Sequence, residues 1–402
     1  MPLISVAPSR LPDGQANGFA FETGEMNQMV RAEYLDTFGF YQNLFGVYSY
    51  MRMNRKQKYI LHQPKGTKLV WQPYTSCSYD STGTLQMGRR ELIPEFIAMN
   101  EKWCQDELLD STYEHWMEAV ANGDLILTDE GVAAFNLMME ELMANSVEGL
   151  RATLSAGRLY NVNTVNYSED NTTTITDMFK KTHGSARGWV KLAYDLAKEK
   201  YDHLNVASFD DSDFDGEGDY TGDIVKLLEN LKKAAPKPLR QLINHGGMIR
   251  GGGRSFMPLI GLSDSFFNAV VRYWNAESEK TATNRTRITR ERIAAENSPT
   301  PQFVYYLDGI LPIVPLQDVS AYDEYLKGRT HFAGIFGSGN IQMGHQFGVI
   351  PEVERDQIGL MVAKVTDPSR DNYGQYVVKS HAAVKAAIAD PNYMVSTIGY
   401  TE

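Results

Sequence analysis

Residues Thr128–Ser155, TDEGVAAFNLMMEELMANSVEGLRATLS, constrain this chain more than any other stretch. Apolar side chains recur at Val132, Phe135, Met139, Leu142, Val147, Leu150 and Leu154, in steps of mostly three or four. That spacing is one stripe along a helix. Thr128 suits the N-cap, Asp129 and Glu130 suit the positive end of the helix dipole, and Gly157 suits the stop. Roughly 28 residues at ~1.5 Å each make a rod of about 42 Å. It carries no histidine and no cysteine. The spacing predicts a core helix without chemistry, and a chain built on such a rod leans towards a scaffold rather than an enzyme.

At 402 residues the chain can bury a large core and divides into two or more domains. Its 39 basic and 50 acidic residues leave a net charge of −11, which excludes a protein held to nucleic acid by a global positive field. The two cysteines, Cys77 and Cys104, do not make a disulfide framework, and a reducing compartment is expected. The start of the chain shows no basic segment leading into a long apolar one, so no signal peptide is expected. No apolar run of about 18 residues occurs, so no membrane span is expected.

Two segments lack cores of their own. Residues 1–25 are polar, with Pro2, Pro8, Pro12, Gly14 and Gly18, and read as an arm that orders only against a partner. Residues 56–97 read as an extended two-stranded arm. Within it, KYILH and KLVWQ flank turn chemistry at Gln63-Pro64-Lys65-Gly66-Thr67, Ser76–Gly83 is a second turn, and Thr84–Ile97 is a strand broken by Pro94. A lone hairpin is marginal in water, so this arm needs something to lie on. Between the two segments, Met26–Met53 holds a dense aromatic cluster that is either core or a surface another subunit covers.

Further along, the pattern predicts helices over Glu101–Asn122, Arg187–His203 and Thr221–Ala234, and a loop over Asn161–Thr176. Pro236-Lys237-Pro238 should stop the third of these helices. A strand over Ser255–Leu262 leads into a helix over Ser263–Glu279. Arg285, Arg287, Arg290 and Arg292 are expected on a helix, making inter-subunit salt bridges first and nucleic-acid contacts second. Strands over Phe303–Leu307 and Ile310–Leu316 are split by Asp308-Gly309, and the section from Thr330 to the end is rich in strands.

Little of this supports catalysis. Asp211, Asp213, Asp215 and Gly216 match the first half of a calcium loop, and Asp219 stands at its ninth position. The twelfth position, where a bidentate glutamate belongs, is Gly222, and the competing reading is a solvated acidic loop. The glycines of Gly246–Gly253 are followed by Arg254-Ser255, not by the Gly-Lys-Ser/Thr of a phosphate loop. Gly337-Ser338-Gly339-Asn340 has only two glycines of a dinucleotide fingerprint. Both read as turns. The eight histidines show no metal spacing, and Cys104 beside Trp103 reads as a small apolar group.

The order of parts resembles the major capsid protein of tailed bacteriophages, the Hong Kong-phage-type fold shared with herpesviruses and encapsulin compartments. The resemblance is carried by Gly88–Ser111, GRRELIPEFIAMNEKWCQDELLDS, where a strand meets a proline and enters a helix with an acidic-Leu-Leu-Asp-Ser ending. It is carried also by Phe303–Leu316 with its Asp-Gly turn and by Gly374–Val395 with Ala389-Asp390-Pro391. It implies an α+β fold with an N-terminal arm (1–25), the start of a peripheral domain (26–55) and an extended loop (56–97). The peripheral domain with its spine helix (98–161), an axial domain (162–325) and a return to the peripheral domain (326–402) complete it.

The function so implied is a non-enzymatic shell subunit, without cofactor, that assembles with itself into hexamers and pentamers of a virion head in the host cytoplasm. The head encloses double-stranded DNA non-specifically and engages a portal, other head proteins and any scaffolding or decoration proteins. Trp71, Tyr74, Tyr79, Leu85, Met87, Arg89, Arg90 and Leu92 are the expected inter-subunit contacts. Some relatives weld subunits through a Lys–Asn bond. Lys65 or Lys68 with Asn340 would be the partners, but no carboxylate base is identifiable, and no weld is expected. An encapsulin-like compartment and a nucleotide-using enzyme built on Gly246–Gly253 are the alternatives.

Overall fold

The structure, a computed structural model, describes residues 42, 44–52, 59–65, 86–103, 117–119, 125–127, 148–160, 173–244, 248–250, 254–278, 287–293, 302–346, 359–364 and 376–401. Of the rod, residues 148–156 are described, and they are helical (α1); 128–147 lie outside the described residues. The helix ends where the sequence places its stop. The Gly157 amide donates to the Thr153 carbonyl at 2.9 Å, and the Gly188 amide donates to the Gly157 carbonyl at 2.9 Å. A Cβ on Gly188 would sit 2.5 Å from the Ser155 carbonyl oxygen, so only glycine lets the two backbones cross this closely.

Two sheets carry the body. The larger has six strands: β9 (Pro258–Leu262), β10 (Ile288–Ile293), β11 (Gln302–Leu307), β12 (Leu311–Pro315), β13 (Arg329–Gly337) and β17 (Met394–Thr401). They lie in the order β10-β11-β12-β9-β13-β17, with β9 and β12 parallel and the other neighbours antiparallel. The smaller holds β1 (Tyr48–Arg52), β4 (Glu95–Trp103), β14 (Ile341–Gln346), β15 (Gly359–Lys364) and β16 (Tyr376–Ile388). In it the long β16 pairs with β14 and β15 on one edge and with β4 on the other.

Strand β9 is buried along its whole length and β13 from Thr330 onward, because both faces of the larger sheet are covered. Alternation sends Leu259, Val314, Phe332 and Phe336 to one face. There they pack with Leu150 and Leu154 of α1, Trp189 of α3 (Trp189–Glu199), and Ile341, Met343, Val384 and Ile388 of the smaller sheet. Ile260, Leu262, Ile313, Ala333 and Ile335 go to the other face, under α4 (Ile224–Ala234), α5 (Lys237–Asn244) and α6 (Asp264–Ser278). Asp223 caps α4 by accepting from the Val225 and Lys226 amides at 3.0 and 3.2 Å. The turn between β11 and β12 is tight, with Asp308 and Gly309 at φ 55° and 69°, as the Asp-Gly pair predicts.

Several expectations are corrected. The helix expected over Glu101–Asn122 is corrected where residues are described: Glu101–Trp103 completes β4, paired along β16, and Met117–Ala119 (β5) pairs with Leu125–Leu127 (β6), while 104–116 and 120–122 lie outside the described residues. The apolar spacing there was helical, but partner strands decided. The Asn/Thr-rich stretch does not stay a loop to Thr176, because α2 (Thr173–Ser185) begins inside it, and it buries Phe179 and His183 one turn apart. Arg287 precedes β10, and Arg290 and Arg292 stand on that strand rather than on a helix. Gln63, Pro64 and Lys65 do not turn; they end strand β2 (Tyr59–Lys65). The proline stop after α4 holds, but a new helix, α5, starts at once. Finally, β13 and β17 come from 326–402 yet belong to the sheet built by 162–325, so a cut at residue 325 does not separate two layers.

Buried titratable groups sit where the elements meet. His331, fully buried in β13, bonds Ser265 through Nδ1 at 2.8 Å and Thr401 through Nε2. Burial lowers it to about 3, with Arg329 adding to the effect, and burial with Arg158 lowers His183 to about 4. Burial raises Asp318, on the short helix α7 (Gln317–Ser320), to about 6 and Asp323 to about 7. Asp323 accepts from the Thr330 amide at 3.0 Å and hydroxyl at 2.7 Å.

Two outcomes follow from this packing. Trp189 is wholly buried, edge-on to Phe332 at 4.9 Å between centroids. Trp189→Ala should cost about 3–5 kcal/mol in chemical denaturation, since a cavity opens between two sheets. The second concerns pH. Native Asp323 holds its proton up to about pH 7 while the unfolded side chain loses it near 4. The native state therefore binds more protons in that window, and stability from this group is lost as pH rises through it. The two histidines oppose it, because the unfolded chain takes their protons first as pH falls below about 6.5. Asp323→Asn should thus gain on the wild type as pH rises from 4 to 7 and hold that gain above 7, as read from denaturation midpoints across pH.

Candidate assembly ribbon and its root

Strand β2 pairs antiparallel with β3 (Gln86–Leu92) and with no other strand among those described, so the two form a ribbon apart from both large sheets. The register runs from Tyr59 opposite Leu92 at the root to Lys65 opposite Gln86 at the far end. Pro64 stands opposite Met87, which a two-stranded ribbon tolerates because a proline can sit with its missing N–H on the unpaired edge. Residues 66–85 join the two strands and lie outside the described residues.

At the root the chain changes sheets. Ile93 and Pro94 interrupt the strand, and β4 begins at Glu95, paired with β16. Leu92 is buried against Ala387 of β16, Pro94 is buried, and Ile93 is 57% exposed. Glu95 collects three donors. Its Oε1 takes Lys385 Nζ at 2.5 Å, and its Oε2 takes the Arg187 backbone amide at 3.0 Å and lies 3.4 Å from Arg158 Nη1. Arg158, in the left-handed region at φ 57°, is itself held: its Nε and Nη2 donate to the Gly184 and Ser185 carbonyls at the end of α2, at 2.9 and 3.1 Å. A guanidinium suits that negative helix end.

The sequence-predicted contacts divide as follows. Trp71, Tyr74, Tyr79 and Leu85 lie outside the described residues. Met87, Arg89 and Arg90 stand on β3, opposite Pro64, His62 and Leu61. Leu92 is corrected: it is 4% exposed and packs within its own chain, because it marks where the ribbon enters the body. Sequence reasoning missed Glu95, Lys385 and Arg158. The lone signal was the Pro94 that precedes Glu95, since Lys385 lies 290 residues away.

The other motifs are used inside the chain. Asp213 accepts from the Asp210 amide, Asp215 from the Glu217 and Asp219 amides, and Asp219 from Arg329 at 2.8 Å. Asp211 begins a single 3₁₀ turn, and among the described residues no three acidic, histidine or cysteine side chains group as a metal site. The stretch Gly246–Gly253 contributes to a hairpin of β7 (Met248–Arg250) and β8 (Arg254–Phe256). Gly337–Asn340 is the β13–β14 turn, with Gly339 at φ 67°. Asn340 is buried, its Nδ2 donating to the Asp390 carbonyl at 3.1 Å.

Of the four arginines, Arg285 lies outside the described residues. Arg287 binds Glu229 and Asp308 of its own chain rather than of a neighbour, and this pairing lowers Asp308. Arg290 stacks between Trp274 and Phe303, and Arg292 is exposed. The Ser265–His331 pair has Thr401 on its second ring nitrogen and is sealed from solvent, so it is a packing contact and not a nucleophile with its base.

No family model matches the chain, and no curated protein matches it. Searched by shape, it is similar to solved capsid and procapsid structures. One is the satellite phage P4 procapsid including the size determination (Sid) protein, at 9% identity and a TM-score of 0.46, covering 92% of this chain and 89% of that one. Another is the cyanophage A-1(L) capsid asymmetric unit, at 12% identity and 0.44, covering 97% and 95%. A third is the capsid of a native GTA particle, at 10% identity and 0.41, covering 89% of each.

Proposed function

We propose that this chain is the major capsid protein of a tailed bacteriophage, a non-enzymatic subunit that assembles into hexamers and pentamers of an icosahedral head. The observation that carries the reading is the β2–β3 ribbon. It belongs to neither large sheet, and it leaves the body at an exposed isoleucine. A two-stranded ribbon alone in water is marginal, so its natural support is another copy of the same chain. In the sequence, Trp71, Tyr74 and Tyr79 fall between its strands. Each would bury roughly 150–250 Å² under a neighbour. At about 25 cal/mol per Å² that is several kcal/mol per subunit, repeated around a closed shell.

The head would enclose double-stranded DNA without binding it tightly, in keeping with a net charge of −11. Portal and other head proteins complete the partners, and the site of assembly is the host cytoplasm. Among the described residues no helix is long and apolar enough to cross a membrane.

Electron microscopy of the purified chain should show rings of five or six, or closed shells; a stable monomer with an ordered ribbon would count against the proposal. Deleting Ser76–Gly83 should leave the denaturation midpoint within experimental scatter and abolish assembly. Hydrogen exchange locates the cause. Protection of residues 67–85, between the paired strands, should appear only in assembled particles, and equal protection in the free subunit would show the loop lying on its own chain.

A further inference from the structure

Among the described residues the ribbon has no sheet neighbour to fix its direction, and the contacts described between it and the body lie at residues 92–95. One is apolar, Leu92 on Ala387. The others converge on one carboxylate. Lys385 and Ala387 are two apart on β16 and so share a face of that strand, and together they take Glu95 and Leu92. Arg158 ties the same carboxylate to the end of α1 and the C-terminus of α2, and the Arg187 amide ties it to the entry of α3. Neither Glu95 nor Lys385 is sealed, with side chains 21% and 19% exposed, and Arg158 is 48% exposed. The bond set is therefore open to salt and to competition, unlike the apolar cores on either side of the larger sheet.

We infer that Glu95 is a positioning latch: its carboxylate, held by Lys385, Arg158 and the Arg187 amide, fixes the angle at which the β2–β3 ribbon leaves the body. Releasing it frees the ribbon to swing about Ile93-Pro94 while both large sheets stay folded. The inference rests on the reading of the ribbon as the element that reaches a neighbouring subunit. In that setting the latch decides whether a free subunit presents its ribbon in one direction or in many.

The test is the distance between a spin label on the ribbon (Arg89→Cys) and one on α4 (Lys233→Cys), read by pulsed electron paramagnetic resonance on the unassembled full chain in a Cys77→Ser, Cys104→Ser background. The wild-type latch should give one narrow distance distribution, and Glu95→Ala and Lys385→Met should each broaden it while leaving the denaturation midpoint of the body unchanged. Raising the salt concentration should broaden the distribution with Glu95 present and leave it unaltered in Glu95→Ala. An unchanged distribution in both variants, a lowered denaturation midpoint, or the same salt response with and without Glu95 would each overturn the latch. Because this readout needs no shell, a wild type that fails to assemble would sink the proposed function without touching the latch.

Discussion

Burial of the six-stranded sheet on both faces is the constraint on which the rest of the structure depends. Strand β13 contributes Phe332 and Phe336 to one core and Ala333 and Ile335 to the other. A single strand thus ties α1 and α3 to α4, α5 and α6. The hydroxyls and rings that meet at His331 are sealed, and the two-sided packing leaves them as bonds that fix register rather than as reagents.

Set against this frame, the β2–β3 ribbon follows different physics. It gains no sheet neighbour among the described strands, and among the described residues its link to the body is one buried leucine, one buried proline and one carboxylate with three donors. Apolar contact is non-directional, whereas a carboxylate with donors from three elements fixes an angle.

The polar groups that the body does bury come at a cost. Asp318 and Asp323 sit where the chain passes from β12 to β13, and burial pushes both well above the carboxylate range. Tyr322 bonds Thr153 of α1 at 2.9 Å, and Tyr160 bonds Thr330 at 2.8 Å. These bonds stitch the end of the rod to the same crossing segment. Buried hydrogen bonds such as these two specify one packing among the many that apolar contact alone would allow.

What the sequence determined by itself is whatever is encoded within a few residues. The stop at Gly157, the helix bearing Trp189, the helix that ends at Ala234, and the Asp308-Gly309 turn each depend on local spacing or backbone freedom, and each stands as read. The broken strand at Pro94 was legible for the same reason. What only the tertiary structure decided is whatever needs a distant partner. Glu101–Trp103 is a strand because β16 lies beside it, and Arg290 lies on a strand because β11 does. Leu92 faces inward because Ala387 is there. Glu95 finds its donors in Lys385, Arg158 and Arg187, which no local pattern places beside it. Strand pairing and ion pairing act between residues far apart in the chain, so their outcome is fixed only when the whole chain has closed on itself.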